Sequence, residues 1–335
     1  MDIARGMNAD LLRILKPISG ELSAIEKGLV RGVAPPGGAM REPLLHLERT
    51  KGKLLRPAVV FLVGQMLGGV NDLHRRAAES IELMHIASLV HDDVVDHSSM
   101  RRGSPSLNAR YGEEVALLTG DYLFARSIEL LRDFNDGDAY LLISRFISQA
   151  SEAEIRQLKR LFSCQVTEAD YLGYIEAKTA RLFALAAELG AMASGVGKES
   201  RQSLSAFGLN FGMAFQIADD CSDFLSDPDS EGKPIFQDLP QGQFTLPLIR
   251  LFKIRGEKWS AEWVLRLKEN GKQATCEAVE LLREEKVIDY CIDRADEYIA
   301  TSRSSLTPQL AENEVPLFAL CDVVLRKIRS LSATP

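Results

Sequence analysis

The sequence predicts an all-α protein, and two observations support that class. Apolar residues recur at spacings of three and four along most of the 335 residues, as at Leu11, Ile14, Leu15 and Ile18, which is the period of an α-helix. Alternating apolar and polar residues, the pattern of a half-buried strand, are nearly absent. We therefore expect a bundle of ten or more helices that forms one domain over residues 1–335.

The predicted helices follow one another with short connections. In order, they are 8–30, 53–68, 71–97, 113–134, 138–162, 167–194, 198–227, 243–254, 260–269, 274–285, 287–303 and 312–331. Each has apolar residues at helical spacing, and turn-forming residues lie between them. Examples of such turns are Pro35-Pro36-Gly37-Gly38, Asn135-Asp136-Gly137 and Gly195-Val196-Gly197, and the segment 226–243 is predicted to be a loop.

Composition limits the function. The chain has 40 Lys and Arg against 47 Asp and Glu, a formal net charge of -7. General binding to nucleic acid or to an anionic membrane is therefore not expected, and an anionic substrate needs a local cluster of cations or metal ions. The five cysteines form no CxxC pair, which favours reduced thiols in a cytoplasmic protein. No apolar run reaches the roughly 20 residues of a membrane-spanning helix.

A first acidic cluster ends the predicted helix 71–97. It reads His91-Asp92-Asp93-Val94-Val95-Asp96, and this spacing places Asp92 and Asp96 one turn apart on one helix face. Because like charges repel at that distance, a bound cation would explain the pair, and carboxylate oxygens suit Mg²⁺. Taken alone, a solvated acidic helix end explains the cluster at least as well.

A second acidic cluster repeats the DDxxD spacing. It reads Asp219-Asp220-Cys221-Ser222-Asp223. The residues before it, 211–218, are typical of a buried helix, so an exposed helix end explains this cluster poorly. If the two helices face each other across a cavity, six carboxylates converge there, and only bound cations make that arrangement tolerable.

Cations accompany the acidic clusters. They are Lys53 and Arg56 at the start of helix 53–68, Arg101 and Arg102 after the first cluster, Lys178 within helix 167–194, and Lys233 after the second cluster. Any of them could be an ordinary surface charge. Lys178 is the least ordinary because its neighbours are apolar, and a buried lysine needs an anionic partner. Diphosphate groups bridged to the aspartates by Mg²⁺ would satisfy both signs of charge.

These motifs resemble those of the trans-isoprenyl diphosphate synthases, the polyprenyl synthetase family. The matches follow the family's order from about Gly52 to Ile249. They are GKLLRP, ELMHIASLVHDDVVD, RRG, TGDYLFARS, EAEIRQ, KTA, GMAFQIADDCSD, GKP, QDL and TLPLI. The resemblance implies the isoprenoid synthase fold, an all-α bundle around a central cavity. It also implies a homodimer, for which the apolar segment 113–134 is a candidate contact.

The resemblance further implies a reaction and a role for each matched residue. In the family, isopentenyl diphosphate condenses with an allylic diphosphate, such as farnesyl diphosphate, and diphosphate is released. Three Mg²⁺ ions bind the allylic diphosphate, and their implied ligands are Asp92, Asp96 and Asp219, with Asp93, Asp220 and Asp223 behind them or as additional partners. The implied allylic site comprises Arg101, Lys178, Gln216 and Lys233, and the isopentenyl diphosphate site comprises Lys53, Arg56, His85 and Arg102. The implied catalytic set is Asp92, Asp93, Asp96, Arg101, Lys178 and Asp219.

The geometry of helix 71–97 also bears on product length. The growing chain is expected to run along this helix, so residues one to three turns before Asp92 would form its floor. Ala87 and Ser88 lie roughly 6–8 Å below the metal site, and both are small. Members of the family that make long chains have small residues here, which favours a heptaprenyl or octaprenyl product. Alternatively, Ala87 is a packing residue and Met84 or another side chain closes the cavity higher up.

Three other functions remain open. A short-chain farnesyl or geranylgeranyl diphosphate synthase is the main alternative. A class I terpene cyclase also uses a DDxxD motif, but it needs neither Lys53 nor Arg56 nor a second DDxxD. A non-catalytic subunit of a heteromeric synthase is less favoured because such subunits characteristically lose aspartates, and this chain retains all six.

Overall fold

Nearly all of the described chain is helical. The computed structural model describes residues 9–33, 38–48, 52–134, 137–225, 239, 241–307, 310 and 315–332. Within these ranges the strands are Met100–Arg101 (β1) and Ser104–Pro105 (β2), which pair antiparallel as a short hairpin. The predicted all-α class is confirmed. The described residues contain no helix that is both long and apolar enough to cross a lipid bilayer.

The chain divides into two compact units. The first comprises Met1–Ser144, Leu182–Gly208 and Leu306–Leu320, and the second comprises Arg145–Arg181, Leu209–Ser305 and Cys321–Pro335. Several long helices contribute residues to both units. The organisation of residues 1–335 as one domain stays a prediction.

The first unit contains the amino-terminal helices and the first acidic cluster. Its helices are α1 (Ala9–Leu15), α2 (Ser19–Val33), α3 (Arg41–Leu47), α4 (Leu55–Met66), α5 (Asp72–Val95), α6 (Leu107–Tyr111), α7 (Glu113–Glu129) and the first residues of α8 (Gly137–Leu158), with 3-10 turns at Lys16–Ile18 and Leu130–Phe134. Most of α10 (Arg181–Ala193) and the start of α11 (Lys198–Leu225) also belong to it. The core of this unit lies around α5, which packs against α4 and α7.

Helix α5 holds the first acidic cluster in a defined orientation. It starts at a capping box in which the Asn71 side chain accepts a hydrogen bond from the His74 backbone N–H at 3.1 Å, so the first turn has a partner for its free donor. At its other end, His91 lies against Gly120 of α7, where an added Cβ would be 2.2 Å from His91 Nε2. Because only glycine leaves room for this ring, the contact sets how closely α5 and α7 approach just before Asp92.

The second unit contains the second acidic cluster. Its helices are the remainder of α8, α9 (Glu168–Ile175), residues 209–225 of α11, α12 (Leu246–Arg255), α13 (Glu257–Glu269), α14 (Gly271–Glu284), α15 (Val287–Ser304) and the latter part of α16 (Val315–Ser332). Trp263 is fully buried among Phe244, Phe252 and Trp259, with ring centroids 5.6 to 6.3 Å from its own. This aromatic cluster joins α12 and α13.

The sequence predicts an unbroken α-helix over 167–194, and the structure interrupts it. Glu176–Ala180 forms a π turn between α9 and α10, so the backbone is wider there than in an α-helix. Lys178 lies in the middle of this turn. Helical periodicity could not reveal it, because one extra residue in a turn barely changes the apolar pattern over five positions.

Some short elements were not predicted. They are α3, α6 and the β1–β2 hairpin, each of seven residues or fewer. An apolar period needs about 11 residues to become visible, so elements of this length fall below that limit. The hairpin matters for the site, because β1 carries Arg101 and the turn between the two strands consists of Arg102 and Gly103.

Candidate active site

Asp92 and Asp96 occupy the last turn of α5. Both are half-buried, and Asp96 caps the helix, its backbone N–H donating to the Asp92 carbonyl at 2.8 Å. The predicted one-turn spacing of the two carboxylates is therefore present. In this arrangement two carboxylates share one helix face and remain partly accessible to solvent.

Asp93 points into the protein and pairs with Arg101. Arg101 Nε donates to Asp93 Oδ1 at 2.8 Å, and Nη2 donates to the same oxygen. The Asp93 side chain is only 5% exposed, against 30% for Arg101. Burial raises the pKa of Asp93 although the Arg101 guanidinium opposes the shift. Asp93 therefore anchors the arginine behind the acidic cluster, and β1 brings that arginine to α5.

Arg56 and His85 meet in the first unit as predicted. Arg56 Nη1 lies 3.2 Å from His85 Nε2, and its guanidinium stacks 4.8 Å from the ring centre of Phe183. Because a guanidinium can only donate hydrogen bonds, His85 Nε2 must accept this one. The pKa of His85 lies well below its ordinary value. The main cause is burial, and the positive charges of Arg56, Arg102 and Arg101 add to it. His85 is therefore a neutral ring whose proton is on Nδ1.

The low pKa of His85 predicts an acid-sensitive contribution to stability. In the unfolded chain His85 takes up a proton below about pH 6.5, while in the native state it stays neutral, so the stability falls as the pH drops through that value. When the pH falls from 7 to 5.5, we expect the unfolding free energy of the parent to drop by about 1 kcal/mol more than that of His85→Gln. Urea unfolding at both pH values measures it. An equal pH dependence in the variant and the parent would contradict the assignment.

The two other candidate binding cations of the first unit, Lys53 and Arg102, lie beside or at a residue with a left-handed backbone. Lys53 is exposed and directly precedes Leu54, whose φ of 50° is left-handed. Arg102 has a φ of 51°. Gly52 lies against the Arg102 side chain, since an added Cβ would be 2.7 Å from Nη1. The glycine in the GKLLRP motif thus leaves space for the Arg102 guanidinium.

One acidic residue in this region was missed by the sequence analysis. Glu82 is 4% exposed, and burial raises its pKa against the opposing fields of Arg56 and Arg102. The sequence does contain a signal for a buried carboxylate, because Glu82 lies in the apolar part of α5, one turn before His85. A buried carboxylate near this group of cations offsets part of their mutual repulsion.

In the second unit the three aspartates of the second cluster differ in environment. Asp219 Oδ1 lies 2.9 Å from Nζ of Lys327 on α16, and both side chains are more than one third exposed. Asp220 is buried, and Asp223 is exposed. The sequence did not suggest Lys327, since it lies more than 100 positions away. An exposed ion pair of this kind is weak enough for a metal ion to displace the lysine.

Lys178 has the anionic partner that its apolar surroundings predict. Its Nζ lies 2.8 Å from Glu154 Oε2 on α8 and 5.4 Å from the centre of the Tyr174 ring. Tyr174 in turn donates to Glu154 Oε2 at 3.4 Å. Glu154 belongs to the EAEIRQ motif but had no assigned role. In this structure it holds Lys178 through a charge-assisted hydrogen bond.

A chain of hydrogen bonds joins Gln216 to the second acidic cluster. Thr179 Oγ1 donates to Gln216 Oε1 at 2.9 Å, and Gln216 Nε2 donates to Asp220 Oδ1 at 2.7 Å. The hydroxyl of Tyr171 donates to Asp220 Oδ2 at 2.6 Å. Burial and the neighbouring Asp220 carboxylate raise the pKa of Tyr171 well above its ordinary value, so the phenol stays a donor. Tyr171 and Thr179 were not singled out from the sequence.

The proposed floor residues line the interior of the first unit. Met84 and Ala87 are fully buried, and Ser88 is half-buried with its hydroxyl donating to the His85 carbonyl at 2.8 Å. Ala87 is thus an interior position at which side-chain volume matters. Lys233 lies outside the described residues.

The donor chemistry in each unit fits magnesium bound partly by the protein. Within the described ranges no three His, Cys, Asp or Glu side chains form a group that could hold a metal ion alone. Mg²⁺ characteristically uses only one or two carboxylates and completes its shell with water and substrate phosphates. Asp92 with Asp96, and Asp219, are carboxylates of that kind. A magnesium ion bound by these carboxylates would keep coordination positions for water and for substrate phosphates.

The chain is similar in sequence to known proteins of one family. The family model for polyprenyl synthetase matches residues 38–282. The heptaprenyl diphosphate synthase component 2 of Geobacillus stearothermophilus is 39% identical over 234 residues, which cover 69% of this chain and 72% of the relative. An all-trans-nonaprenyl-diphosphate synthase of Rhodobacter capsulatus is 36% identical over 85% of this chain and 87% of its own length.

Solved structures show the same fold. A polyprenyl synthase from Caulobacter crescentus CB15, complexed with calcium and isoprenyl diphosphate, superimposes with a TM-score of 0.85 at 30% identity, covering 94% of this chain and 97% of that one. A decaprenyl diphosphate synthase from Rhodobacter capsulatus gives a TM-score of 0.84 at 28% identity, covering 95% of this chain and 99% of that one. The motifs, the helical fold and the extent of these matches agree, and the chain belongs to the polyprenyl synthetase family of prenyltransferases.

Proposed function

We propose that this chain is a Mg²⁺-dependent synthase that condenses isopentenyl diphosphate with an allylic diphosphate and makes a heptaprenyl- or octaprenyl-type product. The observation that carries the proposal is that the carboxylates and cations of the family motifs are retained. In the first unit they are arranged as one anionic pair beside a separate cationic cluster. This arrangement suits two diphosphates, one bound through metal ions and one bound directly by side chains.

The first step is ionisation of the allylic C–O bond, which leaves negative charge on the departing diphosphate. Up to three Mg²⁺ ions, when bound, would neutralise part of that charge as Lewis acids. Asp92, Asp96 and Asp219 are the proposed ligands. Arg101, anchored by Asp93, and Lys178 donate hydrogen bonds to the same diphosphate, and such donors act most strongly when the charge develops. Lys233 completes this proposed set.

The second substrate needs a metal-independent site. Lys53, Arg56 and Arg102 supply positive charge, and neutral His85 supplies one donor at Nδ1, so together they can bind the diphosphate of isopentenyl diphosphate. Gln216 is proposed to lie beside the reacting carbons, where its amide is already held by Thr179 and Asp220. The carbocation then adds to the double bond, a proton leaves, and diphosphate serves as the proton acceptor.

The test of this function is direct. The purified chain is incubated with Mg²⁺, labelled isopentenyl diphosphate and farnesyl diphosphate, and the dephosphorylated products are separated by length. We expect products of 35 or more carbons and no incorporation when a chelator removes the metal. A stop at 15 or 20 carbons, also with shorter primers, would instead support a short-chain synthase such as a geranylgeranyl diphosphate synthase.

Product length is predicted to respond to the volume at position 87. Ala87→Phe places a ring in the interior roughly 7 Å from the level of Asp92, so we expect the main product to shorten to 15–20 carbons. Ala87→Leu should give an intermediate length with less strain on packing. The control is Ala109→Phe, since Ala109 is an exposed alanine on α6. An unchanged product from a folded Ala87→Phe variant would place the floor elsewhere.

The chain is also proposed to self-associate. On α7, Val115, Leu117 and Leu118 are exposed, with Leu118 60% accessible, and a cluster of exposed leucines favours an interface. The relative called component 2 has a name that points to a heteromeric enzyme. The activity test distinguishes self-association from assembly with a different subunit, because a chain that needs a different subunit will be inactive when pure. Light scattering on the active protein should give a mass of two chains.

A further inference from the structure

One stretch of α11 holds the π turn that carries Lys178, through one contact to the preceding helix and one contact within the turn. Tyr171 lies in α9, about one and a half helical turns before the π turn begins, and Thr179 lies within the π turn. Tyr171 donates to Asp220, and Thr179 donates to Gln216, one helical turn away on α11. Gln216 and Asp220 are themselves joined at 2.7 Å. The hydrogen bonds therefore form a bridge through α11 that links Tyr171, on the helix before the π turn, to Thr179 within the turn.

A π turn needs such support. Its hydrogen bonds span five residues, and it is rare and usually found at functional sites. A shift from π to α geometry would rotate the residues of the turn about the helix axis. The direction of the Lys178 side chain would change with them. Tyr171 and Asp220 are both nearly inaccessible to solvent, so water does not compete for their hydrogen bond.

The contacts of Asp220 also suggest what this carboxylate does. Oδ1 accepts from Gln216 and Oδ2 accepts from Tyr171, so each oxygen already has a donor from within the unit. Direct coordination of a metal ion by Asp220 would have to compete with these two short hydrogen bonds. Its neighbour Asp219 is more exposed, and its ion pair with Lys327 is also exposed.

We propose that Tyr171 and Asp220 are positioning residues for Lys178: they hold the π turn at Glu176–Ala180 so that the lysine points toward the allylic diphosphate. The role of Asp220 is thus exerted through the backbone of the π turn rather than through the metal ions. This inference rests on the proposed role of Lys178 as a ligand of the allylic diphosphate.

The experiment is a double-mutant cycle between Tyr171→Phe and Lys178→Gln. Binding of farnesyl thiodiphosphate, an analogue that does not ionise readily, is measured by calorimetry in the presence of Mg²⁺. Since one charge-assisted contact is lost or misdirected, we expect each single variant to weaken binding about tenfold. In the Lys178→Gln background, Tyr171→Phe should change the affinity less than about twofold, because the group on which it acts is gone.

Two further measurements distinguish positioning from general structure. The affinity for Mn²⁺ alone, followed by electron paramagnetic resonance, should stay within about twofold of the parent in Tyr171→Phe. The control is Tyr290→Phe, which removes a similar hydrogen bond, 2.5 Å long, to Glu168 at the start of α9 but not the bridge through α11. It should leave analogue binding unchanged. Asp220→Asn leaves one acceptor oxygen in place of two, so it cannot accept from both Gln216 and Tyr171, and it serves as the second variant if Tyr171→Phe does not fold.

The possible outcomes distinguish the proposed role of Lys178 from the positioning role inferred for Tyr171 and Asp220. If Lys178→Gln alone leaves the affinity unchanged, the proposed role of Lys178 fails, and the inference fails with it. If Lys178→Gln weakens binding but Tyr171→Phe weakens it by the same factor in both backgrounds, only the inference is overturned. Weaker Mn²⁺ binding in Tyr171→Phe would also overturn it, because Asp220 would then serve the metal ions.

Discussion

Asp92→Asn is expected to lower kcat by about three orders of magnitude. Asp92 is half-buried at the end of α5, one turn from Asp96. Asp92 is a proposed ligand of Mg²⁺, and an amide lacks the negative charge that such a ligand supplies, so the departing diphosphate would lose stabilisation mainly in the transition state. Steady-state turnover of isopentenyl diphosphate with a farnesyl primer at saturating Mg²⁺ measures the effect.

The matched control for this variant lies on the same helix. Asp72→Asn changes an exposed carboxylate at the start of α5, where it pairs with Arg75 at 2.6 Å. Because exposed pairs contribute roughly 0–1 kcal/mol, this variant should keep both its activity and its helical circular dichroism. A loss of activity no greater for Asp92→Asn than for Asp72→Asn would remove Asp92 from the list of metal ligands.

Arg101→Gln is expected to have two separate effects. It removes the proposed donor to the allylic diphosphate, which should lower kcat/KM for the allylic substrate at least 100-fold. It also leaves the Asp93 carboxylate buried without its counter-ion, which should reduce the unfolding free energy by about 3 kcal/mol. Steady-state kinetics and urea unfolding report the two effects independently.

A second substitution separates these effects. Asp93→Asn in the Arg101→Gln background removes the buried charge, so most of the lost stability should return. Activity should not return, since the donor to the diphosphate is still absent. If the double variant is no more stable than Arg101→Gln, the Asp93–Arg101 pair does not account for the stability of this region.

The fold class and the two acidic motifs were predictable because they depend on spacing along the chain. Helical periodicity is a local property, and the DDxxD spacing places Asp92 and Asp96 on one face whenever the segment is helical. The presence of Arg56 and His85 in one cluster was implied by the resemblance, and their 3.2 Å contact agrees with it. The short elements α3, α6 and the β-hairpin were not predictable from such a pattern.

The sequence by itself determined which residues carry charge and that the two acidic clusters lie on helices. Only the tertiary structure decided how those charges are paired: Asp93 with Arg101, Lys178 with Glu154, and Asp220 with Tyr171. It also decided the tautomer of His85. The physical reason is that spacing along a helix is set by the backbone, whereas the partner of a buried charge depends on which distant segments pack beside it and exclude water from it.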